Sequence, residues 1–325
     1  MAKPVLLVTR KLPPAIEARA ARDYEARLNP QDEPWYSNGA EIARRAAEIG
    51  AAGILCAAGD RVDAACISAL PASVKAIATF SVGFDHVDLA AAKARGITVT
   101  NTPEVLTEAT AQIALTLLLM ACRRAGEGER MVRARQWQGW APTQLLGLTP
   151  EGKRLGILGF GRIGRTLARM ARGLGMEIHY RDVRRLPPEV EQGAIWHDTD
   201  EGFLRASQFL SMHMPGGEAT RKWLNAERIA LLPRGAIVVN TGRGGSVDDE
   251  ALIAALRSGH VFAAGLDVYD GEPRLHEGYY ALENVVLLPH LGSATVETRD
   301  AMGHRALDNL DAILLRGEAP RDRVA

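Results

Sequence analysis

Residues Arg154–Arg172 read RLGILGFGRIGRTLARMAR. An apolar run, Leu155–Leu158, empties into three glycines spaced GxGxxG (Gly159, Gly161 and Gly164), and an amphipathic stretch follows. Each glycine answers a need of a dinucleotide cradle. The first permits a tight turn, the second lets backbone approach a pyrophosphate, and the third lets a helix pack close on the strand. The helix N-terminus then offers amides and the positive end of its dipole to the phosphates. Glycine-rich turns also arise from packing alone, so the motif gains weight from its strand–turn–helix context and from an acidic residue downstream. That residue is Asp182, 18 positions after Gly164, placed to accept hydrogen bonds from an adenosine ribose. Its carboxylate would repel a 2′-phosphate and favours NAD. Arg181, Arg184 and Arg185 around it are able to clamp such a phosphate instead, which leaves NADP open.

On either side of this unit, short apolar and β-branched runs alternate with amphipathic ones. Val5–Thr9, Gly53–Cys56, Ala76–Phe80 and Thr98–Asn101 read as strands, with helices at Glu41–Ile49 and Leu89–Arg95. Further strands follow at Glu177–Arg181, Phe209–His213, Ala236–Asn240, Val261–Leu266 and Val285–Leu288. Such alternation implies an α/β protein with parallel sheets wrapped by helices on both faces. A length of 325 residues favours two domains over one core. Pro103–Arg124 reads as a long helix apolar almost all round, expected to be buried in a domain junction or a subunit interface. A second long helix, about Thr295–Leu315, would return the chain to the first domain. The expected layout is two doubly wound parallel-sheet domains. A Rossmann dinucleotide-binding domain (101–289) is inserted into a flavodoxin-like substrate domain made of 1–100 and 290–325.

Lysine plus arginine equals aspartate plus glutamate, at 39 each, so no electrostatic case exists for nucleic acid or an anionic membrane. The three cysteines, Cys56, Cys66 and Cys122, fit neither a disulfide framework nor a metal-ligand spacing. Reduced, buried thiols and a cytoplasmic location are expected. Met1–Arg10 lacks a signal-peptide cleavage site, and the apolar stretch Ala111–Ala121 is shorter than the roughly 20 residues of a membrane span.

Three further segments place unusual polar groups just after strands, where open α/β sheets bind ligands. Ala236–Asp248 reads AIVVNTGRGGSVD and carries Arg243; its flanking glycines are expected to let backbone and guanidinium crowd a ligand. Ala264–Pro273 reads AGLDVYDGEP, with Asp267 and Glu272, and Val285–Thr295 reads VVLLPHLGSAT, with His290. A histidine suits proton transfer in both directions near neutral pH. A carboxylate on its other ring nitrogen would fix the tautomer and favour imidazolium. Arginine can hold a carboxylate and a ketone oxygen in one planar fork. Singly each residue has an ordinary structural explanation; together, within a dinucleotide domain, they point to reduction of a small 2-keto acid.

These segments resemble the D-isomer-specific 2-hydroxyacid dehydrogenase family over nearly the whole chain, through NTGRGGSVDD, GLDVYDGEP and LLPHLGSAT. The resemblance implies that Arg243 orients substrate, His290 is the acid/base and Glu272 holds His290. It places Asp267 near the nicotinamide, with Ser293 and His290 on the substrate side. Arg162, Ile163, Thr241 and Gly292 join Gly159, Gly161, Gly164, Arg181 and Asp182 around the cofactor. SVGFDHVD resembles the loop whose amides receive the substrate carboxylate, which implicates Val82 and Gly83; His86 in that loop is expected to be structural. A homodimer built through the cofactor domain is also implied.

Within the family, GILCAAGDRVD, NTPEVLTEATAQIALTLLL and WQGWAPTQLLG resemble glyoxylate/hydroxypyruvate reductases, in which an aromatic residue, here Trp140, reaches a neighbouring subunit's active site or anchors the interface. Phosphoglycerate dehydrogenases carry an arginine where Ala57 and Ala58 stand and usually append regulatory domains, so a phosphorylated substrate is not expected. Asp182–Val183 departs from the small residue and arginine of NADP-using reductases. Phosphite dehydrogenases and nicotinamide-sensing corepressors share the core motifs and mark the alternatives: another hydroxyacid or phosphite enzyme, or a non-catalytic scaffold whose partner-binding extensions are not seen here.

Overall fold

The computed structural model describes residues 2–325; Met1, where the expected substrate domain begins, lies outside the described residues. The chain forms two compact units, one ending at Leu106 and resuming at Ala294–Ala325, the other Thr107–Ser293. The crossings fall a few residues beyond the expected 100/101 and 289/290 because they coincide with helix starts. Helix Thr107–Cys122 opens the second unit, and Thr295 caps helix Val296–Asp311 through a bond from the Thr298 N–H.

The first unit holds a parallel sheet of β1 (Val5–Val8), β2 (Glu25–Arg27), β3 (Gly53–Ala57), β4 (Ala76–Phe80) and β5 (Thr98–Thr100), in spatial order β2-β1-β3-β4-β5. That is the flavodoxin-like doubly wound order. The strands β3 and β4 are buried almost throughout, as central parallel strands covered on both faces must be. The three-residue β2, with two of its residues exposed, carries no apolar signature and was not expected. Helix Val296–Asp311 packs on β4 and on helix Pro14–Asp23, where Gly303 lies so close that a Cβ would fall 2.4 Å from Ile16.

The second unit holds β6 (Arg154–Leu158), β7 (Glu177–Arg181), β8 (Ile195–Trp196), β9 (Phe209–Met212), β10 (Ala236–Asn240), β11 (Val261–Leu266) and β12 (Val285–Leu287). They run parallel in the order β12-β11-β10-β9-β6-β7-β8, the Rossmann order extended by one strand. Chain order reverses between β6 and β9, the switch point at which such sheets bind ligands. Helix Thr107–Cys122 is shorter than the expected Pro103–Arg124, and packing within its own unit accounts for much of its apolar circumference. Ala111, Ala114, Leu117 and Leu118 join the core against β10, β11 and helix Arg162–Arg172. Gly265 of β11 sits where a Cβ would come 2.8 Å from the Leu117 Cβ, so strand and helix touch through a glycine.

Cys56, Cys66 and Cys122 are buried and unpaired. Burial pushes the Cys66 thiol up to about 12. Among the described residues no helix is long and apolar enough to cross a membrane, and no cluster of His, Cys, Asp and Glu is suited to a metal ion.

Candidate active site

The glycine-rich turn behaves as its spacing predicts. Gly159 has φ +88°, a conformation that side chains disfavour, and Gly164 lies so close to the strand that a Cβ would stand 2.3 Å from the Gly159 carbonyl oxygen. Gly161 differs: a Cβ built there meets no atom within 4 Å. Its openness leaves room for a group from outside the fold. No side chain caps helix Arg162–Arg172, and it begins at this turn, where a helix N-terminus favours an anion. Backbone rather than side chains makes this cradle. Ile163 is partly buried against the core, and Arg162 is exposed.

Asp182 follows β7 with both oxygens held, Oδ2 accepting from the Phe160 N–H at 2.7 Å and Oδ1 from the Val183 N–H at 2.7 Å. These bonds tie the carboxylate to the turn itself. Arg181 extends to Asp200 at 3.0 Å and packs over Trp196, and Arg185 pairs with Glu191 at 2.9 Å. Two of the three arginines expected around the ribose therefore already have carboxylate partners; Arg184 is exposed.

At the switch point stands His213, directly after β9. Its Nε2 lies 2.8 Å from Ser211 Oγ and its Nδ1 3.3 Å from Thr241 Oγ1, and burial pulls the imidazole down to about 4. A Cβ on Gly159 would touch the His213 carbonyl at 3.0 Å. His213 thus forms the wall opposite the glycine turn, a neutral ring beside the expected cofactor residue Thr241. Motif spacing missed it; its place at a strand's C-terminal end was the available signal.

After β10, Asn240 shapes the Arg243 turn, its amide donating to the Arg243 carbonyl at 3.0 Å and its carbonyl accepting from Gly242 N–H at 3.0 Å. The flanking glycines, expected to let backbone and guanidinium crowd a ligand, meet a packing need of the fold itself. A Cβ at Gly244 would lie 1.8 Å from the Tyr269 carbonyl carbon, and one at Gly242 3.0 Å from the Met214 oxygen. Close stacking of three successive strand ends is what requires them.

Glu272 and His290 are joined: His290 Nδ1 lies 2.8 Å from Glu272 Oε2, with side-chain exposures of 42% and 33%. Glu272 Oε1 accepts from the Tyr269 N–H at 2.9 Å. Burial works against ionising Glu272, but the His290 bond, the Tyr269 amide and the nearby Arg243 charge outweigh it and hold its carboxyl below the ordinary value. With Nδ1 directed to a carboxylate, Nε2 is the nitrogen left for a reacting partner. His290 has φ +55°, a sparsely populated conformation that the surrounding bonds enforce. Asp267, 1% exposed, accepts from Leu291 N–H at 2.6 Å and Gly292 N–H at 2.8 Å, while its own carbonyl accepts from His290 N–H at 3.0 Å. Asp267, expected near the nicotinamide, thus clamps the backbone of the histidine and of the two residues that follow it. Burial pushes its carboxyl up and the two amides only partly offset this. Tyr269, also missed by motif reading, lies within hydrogen-bond reach of the Leu266 and Leu288 carbonyls and so fastens the Glu272 turn to two strand ends.

Of the remaining expected residues, Ser293 is half-buried at the end of the second unit and Trp140 is 82% exposed on a segment without helix or strand. In the first unit, Val82 and Gly83 follow β4, with the Val82 carbonyl accepting from Asn101 Nδ2 at 2.8 Å. His86 lies 2.9 Å from Thr79 Oγ1, a structural contact as expected.

A Rossmann cradle whose strand edge also carries a carboxylate-backed histidine and a nearby arginine defines a nicotinamide-dependent oxidoreductase. Comparison with known proteins agrees. Residues 115–292 match the D-isomer specific 2-hydroxyacid dehydrogenase, NAD binding domain family. The chain is 44% identical to a glycerate dehydrogenase of Hyphomicrobium methylovorum, covering 96% of this chain and 97% of that one. It is 40% identical to a glyoxylate reductase of Thermococcus litoralis, over 99% and 97%. A solved NADPH-dependent glyoxylate/hydroxypyruvate reductase from Sinorhizobium meliloti, in complex with NADP and malonate, superposes with TM-score 0.88 at 35% identity, covering 100% of this chain and 97% of that one. The chain belongs to the D-isomer-specific 2-hydroxyacid dehydrogenase family and is an NAD(P)-dependent enzyme.

Proposed function

We propose that this enzyme reduces glyoxylate and hydroxypyruvate to glycolate and D-glycerate. The observation that carries the chemistry is the 2.8 Å bond between His290 Nδ1 and Glu272, on a loop clamped by Asp267. The names of the relatives support the substrates. When bound, the nicotinamide supplies hydride to the carbonyl carbon. The protein's part is to bind, orient and transfer a proton. The amides of Gly161, Arg162, Ile163 and Gly164, together with the open face at Gly161, suit the pyrophosphate. Asp182 suits the ribose, and His213 and Thr241 line the switch point. Protonated on both nitrogens, His290 donates from Nε2 to the developing alkoxide while Glu272 orients the ring through Nδ1; in the reverse direction Nε2 accepts the proton. Arg243 orients the carboxylate and carbonyl, Val82 and Gly83 offer amides to the carboxylate, and Ser293 lines the substrate side.

NADH is the preferred donor on this reading. Asp182 presents negative charge where a 2′-phosphate would sit, and Arg181 and Arg185 are paired with Asp200 and Glu191. A homodimer is favoured by the exposed Trp137, Trp140 and Leu146 of a single segment, which a partner subunit would cover. Three unpaired buried thiols favour a cytoplasmic setting. The test is loss of reduced-nicotinamide absorbance with glyoxylate, hydroxypyruvate and pyruvate, each with NADH and NADPH. Turnover of the first two with NADH is the expected result; failure of every 2-keto acid would reject the assignment.

A further inference from the structure

The loop after β4 holds three successive carbonyls inward. The Ser81 carbonyl accepts from Thr102 N–H at 2.9 Å, the Val82 carbonyl from Asn101 Nδ2 at 2.8 Å, and the Gly83 carbonyl from Ser81 Oγ at 2.6 Å. In a trans peptide the N–H points opposite the C=O of the same plane. Fixing the Ser81 and Val82 carbonyls therefore turns the Val82 and Gly83 amides outward, and neither meets an acceptor among the described residues. Gly83, which no Cβ restrains, has its following peptide plane set by the serine hydroxyl alone.

That hydroxyl belongs to a chain. Ser81 Oγ lies 2.7 Å from Thr79 Oγ1, which lies 2.9 Å from His86 Nε2; Thr79 is fully buried and Ser81 nearly so. Proton counting fixes every direction. The Gly83 carbonyl only accepts, so the single Ser81 proton points there. Ser81 must then accept from Thr79, whose one proton is thereby used, and Thr79 must accept from His86. An Nε2–H on His86 satisfies these contacts, with Cys56 Sγ, 4.0 Å from the same nitrogen, as a second neighbour. Imidazole as that tautomer and imidazolium both supply this proton, so the chain persists on either side of the histidine's titration.

We infer that His86, Thr79 and Ser81 form a one-way hydrogen-bond relay that holds the Gly83 carbonyl and so steadies the loop whose Val82 and Gly83 amides face the substrate carboxylate. The three are positioning residues, and their effect on turnover rests on the proposed role of Val82 and Gly83. Relay and role separate experimentally. In ¹⁵N-histidine-labelled wild-type protein, with His86→Gln supplying the assignment, neutral His86 is to show a protonated Nε2 and a bare Nδ1. The opposite tautomer overturns the relay, whatever the enzyme reduces and whether or not the Thr79 variants fold. In kinetics, Thr79→Val removes the acceptor for His86 and the donor to Ser81, while Thr79→Ser keeps both. We expect Thr79→Val to raise KM for glyoxylate about tenfold, the worth of one misdirected hydrogen bond. Its kcat and NADH Kd are to stay within about twofold, and Thr79→Ser is to restore KM. Equal KM in Thr79→Val and wild type, or equal damage in Thr79→Ser, contradicts the relay. A wild-type enzyme that reduces no 2-keto acid rejects the functional reading instead, and the tautomer still decides the relay.

Discussion

Replacing Gly161 and Gly164 separately by alanine distinguishes a cradle built for a ligand from a turn built for packing. At Gly164 the new methyl would sit 2.3 Å from the Gly159 carbonyl oxygen and 3.0 Å from Ile157 Cγ2. Backbone on one side and a core side chain on the other leave no cheap relaxation. Overpacking of this kind costs about 1–3 kcal/mol, against at most ~1 kcal/mol gained from alanine's better helix propensity. At Gly161 the backbone is extended at φ −70°, which alanine adopts freely, and the methyl meets no atom within 4 Å. Folding should be unaffected to within ~0.5 kcal/mol. A bound pyrophosphate would meet that methyl and lose at least one charge-assisted bond to the helix amides, about 1.5–3 kcal/mol or roughly 10–100-fold in affinity. Thermal unfolding and NADH titration by fluorescence read the two effects. We expect Gly161→Ala to keep its Tm and lose nucleotide, and Gly164→Ala to lose several degrees of Tm, at roughly 2–4 °C per kcal/mol. Wild-type NADH affinity in Gly161→Ala would refute the cradle.

Other outcomes follow from the same geometry. Glu272→Gln keeps the shape but removes the charge behind His290; kcat for hydroxypyruvate should fall about 10–100-fold with NADH Kd unchanged, and an unaltered kcat would show that the 2.8 Å contact is incidental. Asp182→Gly should raise kcat/KM with NADPH at least tenfold relative to NADH, by removing one like charge from the 2′-phosphate position; an unchanged cofactor ratio counts against the ribose assignment. His213 titrates near 4 when folded and near 6.5 when unfolded, because burial disfavours its charged form. The unfolded chain therefore binds more protons between those values, and stability should drop as pH falls from about 6.5 to 4. In denaturant melts His213→Gln should flatten that slope; an identical slope would show that His213 does not carry it.

The central strands were legible because parallel strands covered on both faces must be continuous apolar runs, as in Ala236–Asn240 and Ala76–Phe80. The edge strands Glu25–Arg27 and Ile195–Trp196 were not, since exposed faces impose no apolar pattern on so few residues. Arg243, Glu272 and His290 stood out as polar residues following apolar runs. What escaped was the support beneath them. Asp267 was legible as a polar residue after a strand, but its bonds to backbone amides 24 and 25 residues away follow no spacing rule. Tyr269 read as an ordinary loop residue and His213 as the last residue of a strand, because their roles arise only when three or four strand ends are laid side by side. The glycines around Arg243 also answer a packing need that their local pattern did not show: the stacked backbone of Tyr269 leaves no room for a side chain at Gly244.

The proton-transfer assignment of His290 meets its most direct test in a single turnover. Wild-type and His290→Ala enzymes, saturated with NADH, are mixed rapidly with hydroxypyruvate while NADH Kd is measured on the same preparations. With the imidazole gone and the cradle intact, the hydride-transfer phase should slow by about 10²–10⁴-fold while Kd stays within about twofold. A transfer rate in His290→Ala equal to that of the wild type would contradict the account.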